Sequence, residues 1–222
     1  MSVAIIQVRS SSKRFPNKVM TSVNNKPLLY YVMNRVKKSK NIKKTIVACS
    51  VLKSDNSIVR FCKKNKYKIY RGSLKNVLDR YVNVCKKYKL KYFVRINGDS
   101  PCIDPNLIDK AVQIYKKNNC DIVTNVFPRT YPRGTSVEVI KSKCVFDLNK
   151  KKINNSFREH ITTYFYNNYK NYKIINFNNR RNLSKINLSV DTKSDLKKIR
   201  KAITQKNFLN MSWKKIINIT HI

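Results

Sequence analysis

The chain has 222 residues, 49 of them Lys or Arg against 11 Asp or Glu, for a formal charge of +38 with 41% hydrophobic residues. That size and apolar content suit a single α/β-sized domain, and no apolar run reaches the roughly 18 residues of a membrane span. The lysines are spread through nearly every presumed helix instead of forming a patch, which fits biased residue usage better than a nucleic-acid partner, although the field would still attract small anionic ligands.

The opening MSVAIIQV has no basic stretch before a long apolar one. It reads as a first strand over 3–8 rather than a signal peptide, and the chain is expected in the cytoplasm. Apolar residues at helical spacing (Leu28, Tyr31, Val32, Val36) predict a helix from Pro27 to Lys38. A strand over 45–50 follows, then a helix to Lys64 capped by Ser54. Next come a short strand at 67–70, a helix at 74–88 and a strand at 92–96 that stops at Asn97-Gly98-Asp99. Asp104 caps a helix that opens with Pro105 and runs to about Lys117, and 121–125 is a further strand. Apolar strands separated by helices predict a mostly parallel sheet covered on both faces, with ligands bound beyond the carboxyl ends of its strands.

The pattern changes at Val126. FPRTYPRGTSVEV holds two prolines and a glycine before an alternating strand through Val137 and Val139. Helices near 142–148 and 156–167 and strands near 173–177 and 186–190 are expected, then a helix from Lys193. The chain therefore reads as one domain over 1–222, with 126–180 as an inserted lobe and the remainder a return to the main sheet. The six cysteines form no CxxC and no Cys/His ligand spacing, and are expected as free thiols.

Three clusters carry chemistry. After the first strand, RSSSKRFPNK at 9–18 offers the cations Arg9, Lys13, Arg14 and Lys18 with three serine hydroxyls. It is no Walker loop, yet such donors can hold phosphate oxygens; the alternative is a solvated basic loop. At the end of the 92–96 strand, Asp99 is either part of an Asn-Gly-Asp turn or a Mg2+ ligand beside a triphosphate. At 190–192, Asp191 is either a helix N-cap or a second metal ligand. Each of the three glycines, at 72, 98 and 134, neighbours a candidate site residue, in what reads as a loop.

The ordered set AIIQVRSSSKRFPNK, NNKPLLYYV, YRGSLKNVLDRY, VRINGDSPCIDP, YPRGTSVEV, REHIT and VDTKSDL, spanning about residues 3 to 203, resembles the spore-coat-polysaccharide type of cytidylyltransferase. It is similar, more distantly, to CMP-KDO and CMP-sialic-acid synthetases. The resemblance implies a Rossmann-like nucleotide-diphospho-sugar transferase fold, CTP as donor, Mg2+ as cofactor and an acidic sugar of 3-deoxy-2-ulosonic acid type as acceptor. It also implies a homodimer, with 126–180 as the sugar-binding and dimerisation lobe. Arg9, Ser12, Arg14 and Lys18 fall on the triphosphate loop, with Arg9, Lys18 and Asp99 as the catalytic set. Arg71, Asn76, Arg80 and Asn97 fall on nucleotide-contacting positions, and Asp99 and Asp191 on metal positions. Tyr131, Arg133, Glu138, Arg158, Glu159 and His160 fall where related enzymes meet the sugar; His160 is either such a contact, a proton carrier or a structural histidine. Asn17 and the Asn24-Asn25 pair replace usual glycines, which asparagine's tolerance of left-handed backbone permits. Arg133 stands where an acidic residue is more familiar. Other readings are a UTP or dTTP nucleotidyltransferase, glycosyl transfer from a nucleotide sugar, or a non-catalytic nucleic-acid-binding protein.

Overall fold

Alternation along the first strand decides the architecture. In the computed structural model, which describes residues 2–12 and 14–220, β1 (Ser2–Gln7) turns Ala4 and Ile6 to one face of a sheet and Val3 and Ile5 to the other. Lys13, one of the loop cations, lies outside the described residues. A small hairpin, β2 (Ser22–Val23) and β3 (Lys26–Pro27), leads into α1 (Leu28–Lys37). Its turn is Asn24-Asn25, with φ of 49° and 59°, and Asn17 has φ of 55°. All three asparagines occupy the left-handed region that their replacement of glycine requires.

Then follow β4 (Ile42–Ser50), α2 (Asn56–Lys64), β5 (Lys68–Gly72), α3 (Val77–Lys87), β6 (Tyr92–Asn97) and α4 (Pro105–Lys117). The sheet order is β5-β4-β1-β6 on this side, all parallel. The chain builds outward from β1 to β5, then crosses back to lay β6 on the other flank of β1. That reversal leaves a crevice outside the carboxyl ends of β1 and β6, where open α/β sheets bind ligands.

Beyond β6 the sheet continues as β8-β7-β9, formed by β7 (Ile122–Thr124), β8 (Glu138–Lys141) and β9 (Ile174–Asn176). Only β8 is antiparallel, to both β6 and β7. Residues 126–180 therefore share the main sheet, contributing two of its seven strands. They also supply α5 (Ser142–Lys150), α6 (Asn155–Glu159) and α7 (Ile161–Asn167). The helix expected over 156–167 is broken at His160, whose φ of −113° and ψ of 68° are not helical.

The strand expected at 186–190 does not join the sheet. It makes one bridge, Asn187 to Arg133, and two further backbone bonds, Ile186 N–H to the Leu183 carbonyl at 3.0 Å and Val190 N–H to the Asp99 carbonyl at 2.9 Å. Asn187 bonds locally instead, accepting from the Ser189 N–H and hydroxyl. The described residues end in α8 (Lys193–Ile203) and α9 (Trp213–Thr220), which pack together and add no strand to the sheet.

Helices α1, α2, α4, α8 and α9 cover one face with α3, α5 and α7 on the other. Asp104 caps α4 by accepting the Asn106 N–H, an arrangement worth about 1 kcal/mol. Its second oxygen accepts the Trp213 N–H and so pins the start of α9. The α2 cap differs from the expectation: a short helical turn at Lys53–Asp55 precedes the helix, and Ser54 does not cap it. All six cysteines are buried and free, and burial pushes the thiols of Cys62, Cys102 and Cys144 up to about 12. Among the described residues, no helix is long and apolar enough to cross a membrane.

Candidate active site

The loop after β1 is closed by its own backbone. The Ser10 carbonyl accepts the N–H groups of Ser12 and Asn17, and the left-handed Asn17 redirects the chain into the turn at Lys18–Met20. Beneath it lies fully buried Asp55, whose two oxygens accept the N–H groups of Ser10 and Ser50, both at 2.7 Å. A carboxylate so placed ties the ends of β1 and β4 together. The sequence gives little notice of this, since Asp55 reads as an ordinary residue at a helix start.

Lys18 is where the distant clusters meet. Its Nζ donates to Asp99 Oδ2 at 2.8 Å and to Asp191 Oδ1 at 2.7 Å, and Arg14 stands 3.5 Å from the same Asp191 oxygen. Burial alone would lower the Lys18 pKa, but the Asp99 charge and the two carboxylate hydrogen bonds outweigh it and raise the value. Asp99 follows β6, and Asp191 is brought beside it by the Val190–Asp99 backbone bond. The cap of α8 is Thr192, in a capping box with Asp195, so Asp191 is not spent as an N-cap.

These residues line a cavity of about 680 Å3 outside the carboxyl ends of β1 and β6. Ser12, Asn97, Glu159 and His160 line it as well. Glu159 receives Arg9 Nη1 at 2.6 Å across the cavity, joining the end of α6 to the first loop. Gln7, Arg95 and Leu74 also face it. Gln7 is not among the expected site residues, although a polar side chain inside an apolar strand is a legible signal for it, whereas Arg95 opens the expected cluster that runs to Asp99. The Gly98 position has no room for a side chain: a Cβ there would stand 2.2 Å from Val8 Cγ1.

The remaining expected site residues do not line this cavity. Arg71 donates to the carbonyls of Ser50, Val51 and Leu52 and holds that turn. Asn76 caps α3 by accepting the Asp79 N–H. Tyr131 is buried in the core, with its ring against Phe177 and Trp213. Glu138 is buried in an ion pair with Arg95 and accepts the Tyr166 hydroxyl at 2.5 Å. Arg133 is exposed, while Gly134 beside it takes φ of 85° against the Leu188–Ser189 backbone. Arg158 is half-buried on α6.

Arg80 is different. It is 1% exposed, and none of its three guanidinium nitrogens has a hydrogen-bond partner. Burial lowers its pKa, partly offset by the charges of nearby groups including Asp55. Gly72, which ends β5 and so lies in a strand rather than a loop, makes space for it: a Cβ there would lie 2.6 Å from Arg80 Cγ. An orphaned guanidinium is costly, which marks it as a donor without its acceptor.

A family model described as Cytidylyltransferase matches residues 3–216. The spore coat polysaccharide biosynthesis protein SpsF of Bacillus subtilis (strain 168) is 30% identical, over 91% of this chain and 85% of that protein. A solved structure of a cytidylyltransferase from Leptospira borgpetersenii serovar Hardjo-bovis superposes with a TM-score of 0.93 at 29% identity, covering 99% of this chain and 93% of that one. A CMP:2-keto-3-deoxy-manno-octonic acid synthetase complexed with CTP shares the fold, with a TM-score of 0.71 at 17% identity over 92% of this chain and 99% of that one.

Proposed function

The chain belongs to the cytidylyltransferase family, and from that premise we propose that it transfers CMP from CTP to an acidic sugar of 3-deoxy-2-ulosonic acid type for surface polysaccharide or glycan synthesis. One observation carries the reading: Lys18 joins Asp99 and Asp191 at the mouth of the sheet, in the cavity that Arg9 and Arg14 also line.

In the proposed reaction a sugar hydroxyl oxygen bonds to the α-phosphorus of CTP. The bond from that phosphorus to the bridging oxygen breaks, pyrophosphate leaves, and the hydroxyl proton passes to water. Positioning and charge neutralisation account for most of such catalysis. Arg9, Arg14 and Lys18 hold the β and γ phosphates and meet the negative charge that builds on the leaving group. Ser12 donates to a phosphate oxygen. Arg80, buried against Gly72, supplies donors to the nucleotide, in keeping with its three unpartnered nitrogens. Glu159 and His160, at the opposite wall, orient the acceptor.

Mg2+ fits the donor set. Two carboxylates converge on a point that already accommodates a cationic nitrogen, and among the described residues no cluster of three or more His, Cys, Asp or Glu gathers. Asp99 and Asp191 would thus be the protein's share of a shell completed by phosphate oxygens and water, as this ion prefers. When bound it supplies Lewis acidity at the phosphate and eases loss of the hydroxyl proton.

Pyrophosphate release with CTP, UTP or dTTP against a panel of 3-deoxy-2-ulosonic acids tests the proposal. Release is expected with CTP and at least one of these acids, and is lost when a chelator removes divalent metal. Release that prefers UTP or dTTP, or needs no acidic sugar, overturns it.

A further inference from the structure

We propose that Lys18 is a tethered stand-in for the divalent ion. Its ammonium neutralises the Asp99–Asp191 pair before nucleotide binds, and moves to the triphosphate when the metal takes its place. The idea rests on the assignment of those aspartates to the metal.

The geometry states the competition. Lys18 Nζ engages Asp99 Oδ2 and Asp191 Oδ1 together, at 2.8 and 2.7 Å, with its side chain 10% exposed. An ammonium can only donate, so it occupies the carboxylate oxygens that a bridging cation needs. A cation seated between Asp99 Oδ2 and Asp191 Oδ1 would occupy the place where Nζ now lies, so metal and ammonium compete for it.

The surroundings permit the exchange without remodelling the fold. The Val190–Asp99 backbone bond keeps the two carboxylates together whichever cation lies between them. The Lys18 backbone is fixed by the closed loop before it, since the Asn17 N–H bonds to the Ser10 carbonyl at 2.8 Å. Only the four-carbon stem has to swing, and a lysine stem is flexible enough to do so. The other nearby cation, Arg14, is 3.5 Å from Asp191 with a side chain 71% exposed, too loosely held to replace Lys18.

The consequence is coupling. Metal arriving alone must displace a tethered ammonium of high effective concentration. A triphosphate offers that ammonium other anionic oxygens and so frees the carboxylates. Nucleotide and metal then assist one another, and linkage makes the assistance reciprocal.

The test is calorimetric titration of Mn2+ into nucleotide-free wild type, Lys18→Met and Lys18→Met/Asp99→Asn, with melting temperatures taken with and without Mn2+. Lys18→Met is expected to bind Mn2+ roughly tenfold tighter than wild type. It should melt lower without metal, from repulsion between the carboxylates, and recover when Mn2+ is added. The added Asp99→Asn change should erase the gain. Lys18→Gln carries the same expectation and guards against misfolding of the methionine variant. If neither variant binds Mn2+ more tightly while Asp99→Asn still abolishes pyrophosphate release, the stand-in is overturned and the metal assignment survives. If Asp99→Asn releases pyrophosphate normally, the metal assignment has failed and takes the stand-in with it.

Discussion

The two walls of the cavity are built by different means. On one side, Lys18, Asp99 and Asp191 are 81 or more residues apart in sequence, yet meet within hydrogen-bonding distance. The sheet topology forces this, because the carboxyl ends of β1 and β6 are neighbours and Asp191 is strapped to Asp99 through Val190. On the other side, the residues expected to meet a sugar disperse. Tyr131 and Glu138 are absorbed by the core, Arg133 faces solvent, and only Glu159 and His160 reach the cavity. Phosphate-side positions follow from where strands end. Acceptor-side positions depend on packing details that strand order does not dictate.

That contrast can be broken by substitution. The largest expected effect is from Asp99→Asn or Asp191→Asn, which should lower CTP-dependent pyrophosphate release by roughly 1,000-fold with far-ultraviolet circular dichroism unchanged. Glu138→Gln should act on stability instead. It leaves the buried Arg95 guanidinium without its counter-charge, and chemical denaturation should show a loss of about 3 kcal/mol. Arg80→Met separates the two kinds of role within one residue. Because its nitrogens are unpartnered, the variant should unfold at the same denaturant concentration as wild type or higher, while its KM for CTP rises about tenfold. Arg133→Ala should do least: with its side chain in solvent, denaturation should register a change within about 0.5 kcal/mol, and turnover should hold.

Much of the architecture is legible in the sequence because local signals agree with the fold. Asp104-Pro105 announces α4, and the apolar runs of β1, β4 and β6 announce the parallel core. Where local and tertiary signals part, the reading slips. The 186–190 segment carries alternating apolar residues, yet Leu188 and Val190 are buried beside the Gly134 turn and the end of β6 instead of in the sheet. No Gly or Pro marks the break at His160. The closing helix has a readable stripe in Trp213, Ile216, Ile217 and Thr220, set among lysine and asparagine, where a return to the sheet is expected.

The site is legible in the same proportion. Arg9, Ser12, Arg14, Lys18, Asn97 and Asp99 come together in one cavity because they belong to the segments that follow β1 and β6, where the geometry of an α/β sheet says to look. Gln7 escapes because it belongs to a strand that otherwise reads as core. Arg71 shows the converse: a cation beside a glycine, expected to meet the nucleotide, that here donates to three backbone carbonyls.

The central claim is that the loop at 9–18 and the two aspartates act on one metal-bound triphosphate. A crystal of the wild-type protein grown with CTP and Mn2+ tests it directly. The account predicts an anomalous scattering peak in contact with both Asp99 and Asp191, and phosphate density against Arg9 and Arg14. A manganese peak touching neither aspartate, or a triphosphate bound away from that loop, would contradict it.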